Sequence, residues 1–319
     1  MKITTAFALL ALTLACTSTT YADTFGSGLN AFDIDFVTIG NPGNAADTTG
    51  KPNPAGKVDY TYRMGTYEIS EDMIDKVNAQ SSLTITHDNR GDNKPATSIS
   101  WYEAATFVNW LNVDAGGTPA YKFSGSTFEV WVAGDTADYD AANIYRSTRA
   151  KYFLPSVDEW YKAAYHDASA GIAGTYFNYP TGSDDIPDGI DFVGDTTFDA
   201  VFQDPASNPA PNDITDVGLL SPYGTAGQGG NVYEWEETDS DLTNGPSPGS
   251  SARGIRGGNW FNADSSVLLS SSRNSVDPSN EYTVIGFRVA SIIPEPSTLL
   301  LGLLAAMGLL LRRTRRRTA

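Results

Sequence analysis

An α+β fold is predicted by three features of this 319-residue sequence. Two segments repeat apolar residues at helical spacing behind N-capping residues. Several short segments alternate polar and apolar residues, and the chain from Tyr165 to about Gly254 is rich in Gly, Pro, Asp and Asn.

The elements follow in order. Phe32 to Ile39 alternates as a strand and Asn41-Pro42-Gly43-Asn44 closes it as a turn. Val58 to Met64 alternates again, and Tyr67-Glu68-Ile69 continues after Gly65, so a second strand pair is expected there. Ser70, followed by Glu71 and Asp72, predicts a capped helix to about Ala79 with its acids in the first turn, where the helix dipole favours them. In Tyr102 to Leu111, Ala104, Phe107, Val108 and Leu111 fall on one face of an amphipathic helix. Ser156 and Glu159 form a capping box for a third helix that buries Trp160, Ala163 and Ala164. The stretch from Tyr165 to Gly254 reads as loops and short strands, which at this length are functional or are ordered by something other than a core. Gly254 to Trp260 and Thr283 to Ala290 read as strands returning to the sheet.

Composition narrows the function. With 16 Tyr, 14 Phe and 6 Trp and only 18% charged residues, the chain has the apolar surface for a core. A formal charge of -17 excludes nucleic acid and other polyanions as partners. One cysteine, Cys16, excludes an internal disulfide and thiolate clusters, and two histidines, His87 and His166, exclude a three-histidine metal site. Metal chemistry, if any, rests on oxygen.

The two ends read as export signals. Residues 1–22 carry Lys2, an apolar run from Ala6 to Ala15 and Thr20-Tyr21-Ala22, the layout of a secretory signal cleaved after Ala22 by signal peptidase. Cys16 as a lipoprotein acylation site is the alternative. Residues 292–319 carry Pro294-Glu295-Pro296, an uncharged run from Ser297 to Leu311, and Arg312, Arg313, Arg315, Arg316 and Arg317. Fifteen helical residues reach roughly 22 Å, short of the ~30 Å hydrocarbon core. A short transmembrane helix is expected, with the arginines holding that end in the cytoplasm. Setting aside Glu295 among the 38 acids, and Lys2 and the five terminal arginines among the 21 bases, leaves 37 acids and 15 bases between Asp23 and Ile293, a net charge of -22. The tail resembles the PEP-CTERM sorting signal of Gram-negative bacteria. In that family a membrane exosortase cuts near the Pro-Glu-Pro and the hosts commonly make exopolysaccharide; a plain C-terminal anchor is the alternative.

Residues 23–291 read as one domain that holds six motifs: Gly65-Thr66-Tyr67-Glu68-Ile69-Ser70, Pro95 to Ala104, Phe153 to Trp160, Gly229-Gly230-Asn231-Val232-Tyr233-Glu234-Trp235, Arg256-Gly257-Gly258-Asn259-Trp260, and Gly286-Phe287-Arg288. Together, in this order, they resemble the formylglycine-generating (sulfatase-modifying factor) family. The resemblance implies a C-type-lectin-like α+β fold: loop-rich, with a small twisted antiparallel core. Trp101, Trp160, Trp235 and Trp260 are expected to pack as aromatic anchors near turns. Gly257-Gly258 is expected to allow positive φ or close backbone approach. Arg288 is expected to make a structural hydrogen-bond fork. By position in the family, Gly230, Val232 and Glu234 would hold a structural Ca2+, with Asn231 orienting the loop; calcium favours such hard oxygen ligands. The alternative is a Gly-Asn turn whose Glu234 caps a neighbouring backbone group. Asp184, Asp185, Asp188, Asp191, Asp213 and Asp216 match no EF-hand spacing and read as solvated acids.

The family's enzymes oxidise a substrate cysteine through copper held by two cysteines that follow the Arg-Gly-Gly motif. Aligned without gaps, Asn262 and Val267 stand at those positions, and neither binds Cu(I). No copper is expected, and no catalytic or cofactor-binding residue is assigned. The expectation is an exported surface or matrix protein whose non-catalytic domain binds a carbohydrate or a surface protein, touching the membrane only through its C-terminal helix before processing. The rival is an oxidoreductase of this family, or another enzyme with different chemistry in the same cleft.

Overall fold

The computed structural model describes residues 21–293, apart from 193, 204–208, 243 and 246–250. Most of the signal segment, and the tail from Pro294 with its expected transmembrane helix, lie outside the described residues. Among the described residues no helix is long and apolar enough to cross a membrane.

Strands β1 (Tyr21–Phe25), β2 (Phe32–Ile39) and β3 (Tyr62–Gly65) precede helices α1 (Glu71–Gln80) and α2 (Trp101–Asp114). Hairpin β4 (Lys122–Ser124) and β5 (Thr127–Glu129), strand β6 (Tyr152–Phe153) and helix α3 (Val157–Tyr165) follow. Strands β7 (Tyr233–Asp239), β8 (Arg253–Arg256), β9 (Asn274–Val276), β10 (Ile285–Gly286) and β11 (Ala290–Ile292) complete the chain. They form an antiparallel sheet ordered β1-β2-β3-β11-β6, a second sheet ordered β10-β7-β8-β9, and the separate hairpin. The β10–β7 pair is parallel, so the expected all-antiparallel core is corrected to one antiparallel and one mixed sheet.

Local chemistry accounts for the helices. Ser70, Ser100 and Ser156 each accept a bond from the backbone three residues on, and the last two complete capping boxes with Glu103 and Glu159. Helix α2 buries Trp101, Ala104, Phe107, Val108 and Leu111 in the main core beside Trp235 and Phe287. The second strand pair expected at Val58 to Ile69 contracts to Tyr62–Gly65. Val58 instead turns back to the Asn41–Asn44 bend, taking Asn44 Oδ1 on its N–H and the Gly43 N–H on its carbonyl. Beyond β3, Ile69 bonds the carbonyl of Phe287 and leaves the sheet.

Arg63 ties the ends of the fold together. From β3 it forks onto Asp23 of β1 at 3.0 and 2.6 Å, donates to Ser291 Oγ of β11 at 2.8 Å, and lies over the Phe36 ring of β2. Asp23 also accepts the Tyr152 hydroxyl at 2.5 Å and lies 3.2 Å from Lys151 Nζ. Burial alone raises a carboxyl's pKa, but the bonds from Arg63 and Tyr152 outweigh it and hold Asp23 well below the usual carboxylate range.

A depressed carboxyl contributes stability that is present above its unfolded value and lost as pH falls through the folded value. Asp23→Asn is therefore expected to cost about 1 kcal/mol at pH 7, the solvent-screened end of the range for a hydrogen bond to a charged group. The variant should also lose less stability than wild type as pH falls below about 4, where the unfolded carboxyl protonates. Thermal melts across that range check both; equal acid sensitivity would show that Asp23 is not the group responsible.

Candidate functional site

Strand β7 carries the polar centre of the molecule. All seven of its residues, Tyr233-Glu234-Trp235-Glu236-Glu237-Thr238-Asp239, are buried, and its glutamates meet arginines from distant segments. Glu234 takes Arg288 on both oxygens at 2.6 Å, and its Oε2 also accepts Trp160 Nε1 at 2.7 Å. Arg288 gives its remaining N–H groups to the carbonyls of Gly65, Thr66 and Ala226 at 2.9, 3.1 and 2.7 Å. The expected structural fork at Arg288 is present, and its ion-pair partner is Glu234. Glu236 accepts Arg256 at 2.7 Å and Arg273 at 2.8 Å. Gly254 lies against it, since a Cβ there would stand 2.0 Å from Glu236 Oε2.

Asn231 orients the turn that precedes β7. It sits at φ 57°, accepts the Asn212 N–H at 2.9 Å, and donates to Glu68 Oε1 at 3.0 Å. Glu68 is fully buried, and its Oε2 has no hydrogen-bond partner. Its carboxylate occupies the space above Gly227, where a Cβ would come within 2.7 Å. Burial, with Glu234 adding to it against the attraction of Arg288, pushes the Glu68 carboxyl up to about 8.

This geometry bears on calcium. The ligand set expected from sequence was Gly230, Val232 and Glu234. Glu234 already satisfies three N–H donors, and the Arg288 guanidinium supplies the positive charge beside it. A cation bound by Glu234 would have to displace Arg288 from a fully buried ion pair, so this donor set does not fit Ca2+. Among the described residues, no cluster of three or more His, Cys, Asp or Glu side chains has metal-binding geometry.

Residues 257–262 form a tight turn, and Val267 follows in a short 3-10 helix, Ser265–Leu268. Gly257 and Gly258 both have positive φ, and a Cβ on Gly258 would strike Val267 and Leu268 at 2.7 Å. Asn262 Oδ1 accepts the Asn259 N–H at 2.9 Å, and Asn259 Oδ1 accepts the Phe261 N–H at 2.8 Å. The two histidines are engaged elsewhere: His87 with Glu71 and Asp75, and His166 with the Tyr223 hydroxyl and the Ala173 carbonyl. Trp101, Trp160 and Trp235 are fully buried and Trp260 nearly so, in keeping with their expected packing role.

A surface cleft of about 320 Å3 was not anticipated; Tyr60, Asp140, Asn143, Arg146, Phe153 and Ile292 are among its walls. Arg146 forks onto Glu159 at 3.2 and 3.2 Å, approaches Glu237 Oε2 at 3.3 Å, and lies 3.8 Å over the Phe153 ring. The Tyr60 hydroxyl donates to Glu159 at 2.5 Å, and Asn143 and Tyr121 donate to Glu237 at 2.5 and 2.8 Å. Burial raises the Glu237 carboxyl; at Glu159, Arg146 and Tyr60 outweigh burial and lower it. Phe153 and Glu159 lie in one of the sequence motifs, but no motif marks the cleft as a whole, because Tyr60, Tyr121, Asn143, Arg146, Glu237 and Ile292 come from other, separated segments.

A family model described as the sulfatase-modifying factor enzyme 1-like domain matches residues 28–293. No curated protein sequence matches the chain. Among solved structures, Treponema denticola variable protein 1 is similar at 19% identity over 87% of this chain and 100% of that one, with a TM-score of 0.57. CarF is similar at 19% identity over 82% of this chain and 98% of its own, with a TM-score of 0.55. PvdO from Pseudomonas aeruginosa is similar at 18% identity over 85% and 98%, with a TM-score of 0.51. At these identities the likeness is one of fold.

Two outcomes are expected from the buried cluster. Glu234→Gln leaves Arg288 charged and uncompensated in the core and should cost about 3–5 kcal/mol in chemical denaturation, whereas EDTA should leave the wild-type melting temperature unchanged. A raised carboxyl contributes stability that is lost as pH rises through its folded value, so wild type should lose stability between about pH 4.5 and pH 8. Glu68→Gln, which keeps an amide oxygen for Asn231, should flatten that slope in urea titrations at several pH values.

Proposed function

Because this chain belongs to the sulfatase-modifying factor enzyme 1-like family, we propose that it is an exported, non-catalytic member: a ligand-binding domain held at the cell surface or released into the extracellular matrix of a Gram-negative bacterium. The non-catalytic reading rests on the turn at residues 259–262 and the 3-10 helix that follows it. Two amide side chains close the turn by bonding the backbone, and the positions matching the family's thiols carry Asn262 and Val267. Neither is a soft ligand for Cu(I), and Cys16, in the signal segment, is the single cysteine of the sequence. Carboxylate catalysis at the cleft is disfavoured as well. Glu159 and Glu237 share Arg146 and carry further hydroxyl or amide donors, so neither presents a free oxygen suited to proton transfer.

The lectin-like character rests on the loop-rich architecture and on the family resemblance. Export rests on the two termini: a signal segment cleaved by signal peptidase after Ala22, and a Pro294-Glu295-Pro296 tail processed by an exosortase. The cut after Ala22 would remove the first two residues of β1, Tyr21 and Ala22, and leave Asp23 to Phe25 paired with β2. Asp23, first after the N-terminal cut, is the residue that Arg63 holds, and Arg63 also holds Ser291, three residues before Pro294.

Intact-mass measurement of the mature protein should give a chain that begins at Asp23 and lacks the five terminal arginines. Retention of the arginines would replace exosortase processing with a permanent anchor. Incubated with Cu(I) or Fe(II) and a cysteine-containing peptide, the exported protein should bind no stoichiometric metal and consume no oxygen. Metal loading together with oxygen uptake would establish the oxidoreductase reading instead.

A further inference from the structure

We propose that the cleft between Tyr60 and Arg146 is the ligand seat, and that it takes a neutral polyhydroxylated ligand, one or a few sugar units of an uncharged glycan. The inference rests on the ligand-binding reading above and adds to it a place and a chemical class.

Charge decides the class. Arg146 is closed on Glu159 and Glu237 and flattened on Phe153, so its guanidinium is not available to clamp a carboxylate or phosphate. Asp140 adds an exposed carboxylate at the rim, and the net charge of -22 between Asp23 and Ile293 disfavours an anionic ligand. A cationic ligand would find only Asp140, solvated and already accepting the Ala142 N–H at 2.8 Å, because the buried glutamates are paired. What remains suits hydroxyl groups over an apolar face. Tyr60, 45% exposed, and Ile292, 40% exposed, offer apolar surface to the C–H face of a sugar ring, and Asp140 accepts hydroxyl protons.

Preorganisation supports a binding role. The side chains behind the cleft are held by the Arg146 network, so little conformational entropy is lost when a ligand arrives. At about 320 Å3 the cleft lies at the small end of the roughly 300–1,000 Å3 typical of small-molecule sites, and so suits a short stretch of glycan.

The test uses the exported protein on an array of neutral gluco-, galacto- and manno-oligosaccharides printed beside uronic-acid oligosaccharides, followed by calorimetric titration of the strongest binder. The expected result is binding to neutral members only, unchanged by EDTA. Two exposed rim variants, Asp140→Ala and the cleft-filling Ala142→Trp, should each weaken that binding at least tenfold while leaving the thermal melt in place. Neutral-glycan binding that survives both variants would overturn the assignment of the cleft and leave the ligand-binding reading standing. Preference for the acidic oligosaccharides would overturn the chemical class. Absence of binding to every glycan, with no surface protein recovered by the same protein, would remove the ligand-binding reading and this inference together.

Discussion

The buried pair between Glu234 and Arg288 is the constraint on which the rest of the structure depends. Its five guanidinium N–H groups reach Glu234 in β7 and the carbonyls of Gly65, Thr66 and Ala226. One side chain thereby ties the end of β3 and the long loop region before β7 to β7 itself, from its place between β10 and β11, which lie in different sheets. Removing two charges from water is costly, and the attraction offsets that cost only where geometry is good and the remaining donors are satisfied. Here every donor of Arg288 has an acceptor. The value of such a pair lies less in net stability than in register, because a shifted loop would leave a charge buried alone.

The same device is repeated along β7. Glu236 holds Arg256 and Arg273, and Glu237 shares Arg146 with Glu159. This explains how a region with little regular secondary structure stays ordered. Between α3 and β7 the described backbone is organised by isolated bridges and side-chain bonds, such as Val201 pairing with Gly230 and Asn231 bonding the Asn212 N–H. The buried aromatics fill space around these points, while the polar groups specify which loop lies where. Glu68 is the exception. Its second oxygen is buried without a partner, so it favours the protonated form, and the cluster stays close to charge balance without a further cation.

Much of the fold was legible in the sequence, and what was missed has physical reasons. Helices α1, α2 and α3 were each legible through one local signal, the Ser70 cap with its first-turn acids, the apolar face of Ala104, Phe107, Val108 and Leu111, and the Ser156–Glu159 capping box, while the Ser100 cap that starts α2 at Trp101 emerged only in the structure. Strand β2 matches its expected bounds of Phe32 to Ile39 because its first half alternates buried Phe32, Ile34 and Phe36 with exposed Asp33 and Asp35, while Val37 and Ile39 continue it as buried β-branched residues. Strand β7 gives no such signal. Buried on both faces, with three glutamates neutralised by arginines far away in sequence, it reads as a polar stretch. Strands of two or three residues, such as β6 and β10, are too short for a period to show. The Arg146 cleft was hidden for the same reason as β7: Tyr60, Asn143, Arg146 and Phe153 become neighbours only through pairings that local sequence does not encode.

Motif survival in this chain follows from where each motif is bonded. Trp160, Glu234 and Arg288 belong to separate motifs and meet in one cluster of hydrogen bonds, so losing any one of them strands a buried polar group on the others. At Gly227, Gly254 and Gly258 a Cβ would strike a carboxylate or a packed side chain. Asn262 and Val267 stand outside that cluster. At Asn259 and Asn262 the turn is closed by amide oxygens accepting backbone N–H groups, a role that requires no sulfur. The scaffold motifs are thus held in place by folding alone, and their presence is evidence of architecture. Activity has to be argued from positions such as Asn262 and Val267, whose contacts here, an accepted backbone N–H and packing beside Gly258, require no sulfur.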